Sequence, residues 1–289
     1  MKIAKFHLVA LLLAPLAVGC SGVEEPLGGV VYPSDNEVAM RLSIAIDDVA
    51  DMRTTLGEEE ESGHRKLYWS EGDRIVINGV ESEAVEINED NARIGSFDFG
   101  EVLAYPYSVL YPSSLYKSAT TIALPQLQAA ATDTFATNTV PLVAYVEEGK
   151  SVKLNHLSAI VHIQLRAESG SNFNNAIRKV VFRGNEGEQV SGDFTLDYAT
   201  SRLTPASTNQ SGKSVGVAVT GELSTESVTN IYIVVPAQEY KSGFTVRVLN
   251  EKNHYMEKSS GSVTLEAGEI FKMPVLDYHP THTQFGVEM

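Results

Sequence analysis

Apolar and polar residues alternate strictly in the segment that opens the predicted fold. Over residues 38–46 every second side chain is a large apolar one, and the positions between hold alanine, arginine or serine. A period of two places one set of side chains on a single face, as in a half-buried β-strand. The sequence therefore predicts a first strand whose core-facing residues are Val38, Met40, Leu42, Ile44 and Ile46.

Short strand-like segments follow in two series, separated by turn residues at spacings of about ten residues. The first series comprises residues 74–80, 84–87, 92–99, 107–111, 121–124 and 142–146. The second comprises residues 159–166, 179–183, 192–196, 214–219, 230–235, 244–249, 262–266 and 270–275. This spacing is typical of all-β sandwiches. We therefore predict two β-sandwich domains, at residues 37–149 and 150–279, followed by a short C-terminal tail at 280–289.

Three segments depart from the strand pattern. Residues 126–139 have polar and alanine side chains without a helical stripe, and they are predicted to form a long loop. Residues 173–177 are the right length for one helical turn. Residues 47–65 are highly charged and contain four consecutive glutamates, but they lack the alternating Asp/Asn and Gly spacing of a calcium-binding loop. A solvated loop is the better interpretation of that charged segment.

The N-terminal residues have the pattern of a bacterial lipoprotein signal. Lys2 and Lys5 precede an apolar run at residues 8–16, and small residues lead to Gly19 and Cys20. The run is too short and, with a proline in it, too irregular to span a bilayer, so a cleaved signal peptide is predicted. An ordinary secretory signal beside an accidental cysteine is the alternative.

Cleavage between Gly19 and Cys20 would leave the cysteine as the acceptor of a diacylglycerol anchor. Acyl chains at Cys20 would hold the protein on the outer membrane, because two or three chains bind a membrane stably without a transmembrane helix. Residues 1–19 are then the signal peptide, and residues 20–36, which have no periodic pattern, are a flexible tether. Cys20 is the only cysteine, so no thiol remains for a disulfide, a zinc site or a nucleophile.

The charge excludes one class of partner. The chain has 22 basic and 37 acidic residues, a net charge of −15, and loss of Lys2 and Lys5 with the signal makes it −17. Such a protein repels nucleic acid, which is not expected as a partner.

Candidate chemistry is sparse. No phosphate-binding loop, nucleophile elbow or zinc-protease motif occurs, and neither an enzyme activity nor a cofactor nor a metal is predicted. His156 and His162 are six residues apart, and His279 and His282 lie near the C-terminus. Each pair would make a weak metal site, and a structural or surface role is the better interpretation. A group of aromatic residues is interpreted as part of core strands and their ends. The alternative is an exposed glycan-binding platform formed by Trp69, Tyr105, Tyr107, Tyr111 and Tyr116.

A set of local motifs in a fixed order is more informative than any single one. They are MRTT (52–55), LYWSEGDRI (67–75), YSVLYP (107–112), LNHLSAIV (154–161), IRKVVF (177–182), VSGDF (190–194), VVPA (234–237) and LEAGEIF (265–271). In this ordered set the chain resembles the fimbrillin family, surface lipoproteins that form type V pili in anaerobic Gram-negative bacteria. The resemblance implies two sandwich domains of transthyretin-like topology and a role in cell adhesion at the cell surface.

The resemblance also implies an assembly mechanism. In polymerising fimbrillins an arginine-specific protease removes the first strand, and a C-terminal strand of a neighbouring subunit fills the groove. Here the displaceable strand is residues 38–46, and the matching cleavage site lies between Arg53 and Thr54. Partners are then other pilus subunits, and a host or bacterial surface receptor. The alternative is that Arg53 is an ordinary loop residue and that the first strand stays in place.

The C-terminal end differs from that of a shaft subunit. Phe285, Val287 and Met289 alternate, but the run is short and follows Pro280. A tip or accessory subunit, which accepts a strand without donating one, therefore fits better. A surface glycan-binding lipoprotein of a polysaccharide uptake system is the alternative function.

Overall fold

The computed structural model describes residues 30–31, 39–46, 68–206 and 212–283. Most of the regular structure in these ranges is β-strand. The strands of the first half are β1 (Val30–Val31), β2 (Met40–Ala45), β3 (Val76–Ile77), β4 (Val80–Glu81), β5 (Glu86–Ile87), β6 (Ile94–Phe99), β7 (Tyr107–Tyr111), β8 (Tyr116–Ser118), β9 (Thr121–Leu124), β10 (Leu127–Ala129) and β11 (Leu142–Val146). A 3-10 turn, Ser113–Leu115, follows β7.

The strands of the second half are β12 (Asn155–His156), β13 (Ser158–Ala167), β14 (Ala176–Gly184), β15 (Gly192–Asp197), β16 (Arg202–Pro205), β17 (Ser214–Glu222), β18 (Thr229–Pro236), β19 (Gln238–Tyr240), β20 (Phe244–Asn250), β21 (His254–Ser259), β22 (Val263–Leu265), β23 (Ile270–Lys272), β24 (Leu276–Tyr278) and β25 (His282–Thr283). The described residues include no α-helix, and hence none that would cross a membrane. The predicted all-β, sandwich-like fold class is confirmed.

Five sheets organise these strands. Sheet A has the order β1-β2-β6-β5, sheet B the order β12-β11-β7-β3-β4, and sheet C the order β16-β15-β9-β8. Sheet D has the order β10-β17-β14-β20-β21-β25, and sheet E the order β18-β13-β23 with β24 also paired to β13. A small ribbon joins β19 to β22.

The first hydrophobic core lies between sheets A and B. Alternate residues of β2 and β6 face it from one side, and alternate residues of β7 and β11 face it from the other. Three residues of sheet E, Ile160, Tyr232 and Val234, close this core at one end.

The second core lies between sheets D and E. It includes Phe182 and Val246 from sheet D, and Val161 and Ile233 from sheet E. Along β18, residues 231–235 alternate between the second and the first core, whereas β13 contributes Ile160 to the first core and its neighbours to the second. Sheet E is buried on both faces, which explains why β13 has an apolar run rather than a polar-apolar alternation.

A third core packs sheet C on the outer face of sheet B. Leu110 and Val143 come from sheet B, and Ile122, Phe194 and Leu196 from sheet C. Sheet C combines β8 and β9 with β15 and β16, so strands on both sides of residue 149 share one sheet. The domain limits at 149 and 150 stay a prediction, but the two halves are joined by continuous sheets and cores.

Two local predictions are wrong. Within residues 126–139, β10 pairs in parallel with β17, where Leu127, Gln128 and Ala129 face Gly216, Val217 and Ala218. This pairing depends on a strand almost ninety residues later in the chain, so no local pattern announces it. Residues 173–177 form no helical turn, because β14 begins at Ala176 and pairs with β17 and β20.

Candidate functional site

The first strand occupies an interior position in sheet A. All six residues of β2 pair antiparallel with β6, and β1 pairs with Leu42 and Arg41 on the opposite edge. Met40, Leu42, Ile44 and Ile46 are at most 4% exposed. Val38 lies outside the described residues.

Aromatic side chains form the packing surface beneath β2. The indole N–H of Trp69 donates a hydrogen bond to the carbonyl oxygen of Ile44 at 3.2 Å. The same ring meets Phe97 and Tyr111 edge-on, with centroid distances of 4.9 and 5.3 Å. The Tyr107 hydroxyl lies 3.6 Å from the sulfur of Met40. Removing β2 would therefore uncover Trp69, the only tryptophan of the chain.

Polar pairs cover the outer face of β2. The Arg41 guanidinium donates two hydrogen bonds of 2.6 Å to the carboxylate of Asp98 and lies 3.0 Å from that of Glu86. The bond to Asp98 is the main reason that the pKa of Arg41 is raised. Ser43 and Ser96 pair beside it at 2.9 Å. Since the Arg41 and Asp98 side chains are partly exposed, at 34% and 21%, this ion pair contributes at most about 1 kcal/mol.

The apolar face contributes far more. Full burial of one such side chain stabilises a fold by about 1.5–3 kcal/mol, so four of them contribute about 6–12 kcal/mol. The whole free energy of unfolding of a domain is about 5–15 kcal/mol. β2 is therefore an integral part of the first core.

The processing residues lie outside the described residues. These are Gly19 and Cys20 at the predicted lipidation site, and Arg53 and Thr54 at the predicted protease site. Their roles stay predictions.

The central histidines have separate structural surroundings. His156 is in β12, opposite Leu142, and its buried Nδ1 has no hydrogen-bond partner. Burial lowers the pKa of His156 to about 4. His162 is in β13, where its ring stacks on Tyr232 at 4.3 Å and its Nε2 lies 2.9 Å from Oδ1 of Asn230.

The C-terminal histidines are also held apart. His279 Nδ1 lies 2.7 Å from a carboxylate oxygen of Glu168, whereas His282 stacks on Tyr255 at 5.0 Å. Part of the predicted tail is thus a strand, since β25 contains His282 and pairs with β21. Within the described ranges, no three His, Cys, Asp or Glu residues gather closely enough to hold a metal.

The proposed aromatic platform is wrong for its central members. Trp69, Tyr107 and Tyr111 are at most 3% exposed and belong to the first core. Tyr105 stacks on Tyr107 at a centroid distance of 3.9 Å. Trp69, Tyr107 and Tyr111 therefore stabilise the fold and present no exposed stacking face.

Sequence reasoning missed a polar cleft of about 460 Å³ between β17 and β18. Asp133 and Asn230, which line it, are 97 residues apart and joined by a 2.9 Å hydrogen bond. Asp133 lies in the segment predicted as a loop, and it carries no motif. The pairing of β10 with β17 and the hydrogen bond to Asn230 place it at the cleft.

Comparisons with known proteins give structural likeness only. No family model and no curated protein matches the chain. Three crystal structures of candidate cell adhesion proteins are similar, from Bacteroides ovatus (15% identity, 85% of this chain, 100% of that one, TM-score 0.44), Bacteroides uniformis (13%, 79%, 92%, 0.48) and Bacteroides fragilis (10%, 83%, 92%, 0.42).

Proposed function

We propose that this chain is a non-enzymatic pilus subunit of the fimbrillin type, which acts in assembly by strand exchange and in cell adhesion. It is first an outer-membrane lipoprotein anchored at Cys20, and it joins the pilus after processing. Its place in the pilus is that of a tip or accessory subunit.

The burial of β2 is the observation that carries this proposal. Four apolar side chains of β2 and the residue after it, Ile46, contribute to the first core, and Arg53 follows seven residues after Ile46. While the chain is intact, β2 is present at a high effective concentration and rebinds at once after any opening. A cut after Arg53 removes that advantage, so that an incoming strand with a matching apolar pattern competes on equal terms for the groove.

The C-terminal strands favour an accepting rather than a donating role. The β24 strand pairs with β13, and β25 pairs with β21, both within the same chain. Using them to fill a neighbour's groove would cost their own hydrogen bonds. A subunit that accepts a strand and keeps its own C-terminal strands fits a tip or accessory position.

The mature N-terminus of assembled material tests the proposal. Pili are isolated from cells that express the wild-type chain, Arg53→Ala or Arg65→Ala, and the N-terminal residue is determined by mass spectrometry. Arg65 is the matched control, because it is a second arginine of the same charged segment. We expect Thr54 at the N-terminus of wild type and Arg65→Ala, and a lipidated monomer that never enters pili for Arg53→Ala.

Trp69 fluorescence reports directly whether a strand, either β2 or a donor strand, covers the indole. Cleavage after Arg53 in the presence of a donor subunit should keep the emission of a buried indole, because one strand replaces another over Trp69. Release of β2 without a donor should shift the emission to longer wavelength. Assembled material that still begins at lipidated Cys20 would contradict the proposed mechanism.

A further inference from the structure

A cleft opens between the end of β17 and the start of β18, under the turn at residues 131–134. Its volume of about 460 Å³ lies in the range of about 300–1,000 Å³ that is typical of small-molecule sites. It is lined by residues of both halves, and one of them, Tyr232, also belongs to the first core.

The lining combines hydroxyl groups with small aliphatic surface. Four threonines contribute to it, at positions 132, 134, 220 and 229, and alanine and valine side chains lie between them. Of the described residues that line the cleft, Asp133 alone carries a formal charge. Within the described part of the chain, no basic side chain forms an ion pair with Asp133.

A hydrogen-bond network fixes the polar groups before any ligand arrives. Nδ2 of Asn230 donates to Oδ1 of Asp133 at 2.9 Å, because a carboxylate only accepts. Oδ1 of Asn230 must then face the other way, where it accepts from Nε2 of Gln164 at 3.2 Å. It also accepts from Nε2 of His162 at 2.9 Å, which places the imidazole proton on that nitrogen.

The backbone holds the carboxylate at the rim of the cleft. Residues 131 and 134 form a β-bridge that closes a two-residue turn. Asp133 occupies this turn with φ of +50°, a left-handed conformation that aspartate and asparagine tolerate better than most residues. Asp133 is exposed, and one carboxylate oxygen bonds to Asn230, so the carboxylate has further acceptor capacity on the solvent side.

This chemistry selects one class of ligand. An anionic ligand would be repelled by Asp133, since no cationic side chain lines the described cleft. A planar aromatic ligand would find no stacking face, because the Tyr232 ring is 3% exposed and already stacked on His162. A sugar presents hydroxyl groups and small apolar C–H faces in alternation, which matches the threonines, the Asp133–Asn230 pair and the aliphatic lining.

We propose that this cleft binds a neutral saccharide of one or two rings, with Asp133 accepting hydrogen bonds from its hydroxyl groups. The site goes beyond the proposed pilus function, because it does not depend on cleavage after Arg53. It would let the same subunit adhere to a neutral glycan.

Ligand-observed saturation-transfer NMR on the full mature chain in detergent tests the site. The probes are glucose, galactose, mannose, fucose, N-acetylglucosamine, N-acetylgalactosamine, lactose and cellobiose at millimolar concentrations, with sialic acid and n-butylamine as charged comparisons. Asp133→Asn is the test variant, because asparagine accepts the left-handed backbone and keeps the side-chain shape. Asp90→Asn, an exposed aspartate in a turn of the first half, is the matched control.

We expect at least one neutral saccharide to bind the wild-type chain and Asp90→Asn with equal affinity. Its affinity for Asp133→Asn should fall at least tenfold, and sialic acid should not bind. Three results would overturn the proposal: no neutral saccharide binds, binding is insensitive to Asp133→Asn, or n-butylamine binds at Asp133 in place of every sugar. The last result would identify a site for amines.

Discussion

His156 shows how burial without a partner changes the acid–base behaviour of one side chain. Its imidazole lies in β12 with an unpartnered Nδ1, so protonation would place an uncompensated charge in the interior. Desolvation therefore lowers its pKa from 6.5 to about 4. The sequence indicated a structural role for His156, but it did not reveal that its Nδ1 would be buried without a hydrogen-bond partner.

The pH dependence of stability follows from this pKa with a definite sign. Between pH 6.5 and about 4 the unfolded chain binds a proton at His156 that the folded chain does not, so folding loses stability as the pH falls. The full loss is about 3 kcal/mol. His156→Gln should remove this part of the decline, measured as the urea midpoint at pH 7 and pH 4.5.

The exposed histidine of β21 provides the control for that measurement. The urea midpoint of His254→Gln should fall between pH 7 and pH 4.5 by as much as that of the wild-type chain. An equal decline in wild type and His156→Gln would show that His156 is not the buried neutral group described above.

Trp69 illustrates why a single aromatic residue is ambiguous in a sequence. Large aromatic side chains contribute equally well to a core and to an exposed stacking surface, and the residues around Trp69 include polar and charged ones. Its location is decided by Ile44 and Phe97 on sheet A and by Tyr111 on sheet B, which meet it in the folded chain.

At the scale of the element, the pairing of β2 with β6 depends on the close approach of the Trp69 and Val85 side chains to the backbone of Gly95. Gly95 lies opposite Ile44, and the Trp69 indole packs against its backbone. A β-carbon built at Gly95 would be 2.6 Å from Cγ2 of Val85 and 2.8 Å from Cδ1 of Trp69. Neither side chain has room to retreat in a packed core, so a methyl group here forces a shift of the strand pair.

Gly95→Ala should therefore destabilise the first half of the molecule by about 1–3 kcal/mol. Urea unfolding followed by Trp69 fluorescence measures this change at the site itself. Gly100→Ala is the matched control, because a β-carbon at Gly100 meets nothing within 4 Å. Equal midpoints for the two variants would mean that Trp69 does not pack on Gly95.

The β10 strand shows a different kind of dependence on the rest of the chain. The side-chain amide of Gln128 donates to the carbonyl oxygen of Val234 at 2.8 Å and accepts from its N–H at 3.0 Å. This single side-chain amide thus satisfies the N–H and the carbonyl oxygen of Val234 on the edge of β18, as a peptide unit of a neighbouring strand would. A buried glutamine in a polar, alanine-rich segment carries no local sign of this role.

At the scale of the whole molecule, shared sheets and cores make the two halves cooperative. Sheet E contributes Ile160 to the first core and Val161 to the second, and sheet C joins strands from both halves. A load applied to one half is therefore transmitted through packed strands rather than through a linker. Such a connection suits the proposed role in a surface fibre.

Attachment of the whole molecule to the membrane depends on one residue. Cys20→Ala removes the only possible acyl acceptor of the predicted lipoprotein signal, so precursor or soluble protein should accumulate. Metabolic labelling with a palmitate analogue, followed by gel fluorescence, measures the change. Ser21→Ala, which alters the next residue and keeps the thiol, should label as the wild-type chain does. Equal labelling of wild type and Cys20→Ala would contradict lipidation at this cysteine.

The sequence by itself determined the features that depend on local periodicity. The alternation in residues 40–46 predicted which side chains of β2 are buried, because a strand places every second residue on one face. The short strands and their spacing predicted the all-β class for the same reason. Apolar runs such as β13 were also recognisable, although their burial on both faces was not.

Only the tertiary structure decided the features that depend on distant residues. The parallel pairing of β10 with β17, the mixing of both halves in sheet C and the meeting of Asp133 with Asn230 join residues about seventy to a hundred positions apart. No local pattern encodes such a contact, because its free energy comes from surfaces that meet only after the chain has folded. The fold class was therefore readable from the strand pattern, whereas the cleft was defined only by the packing of the sheets.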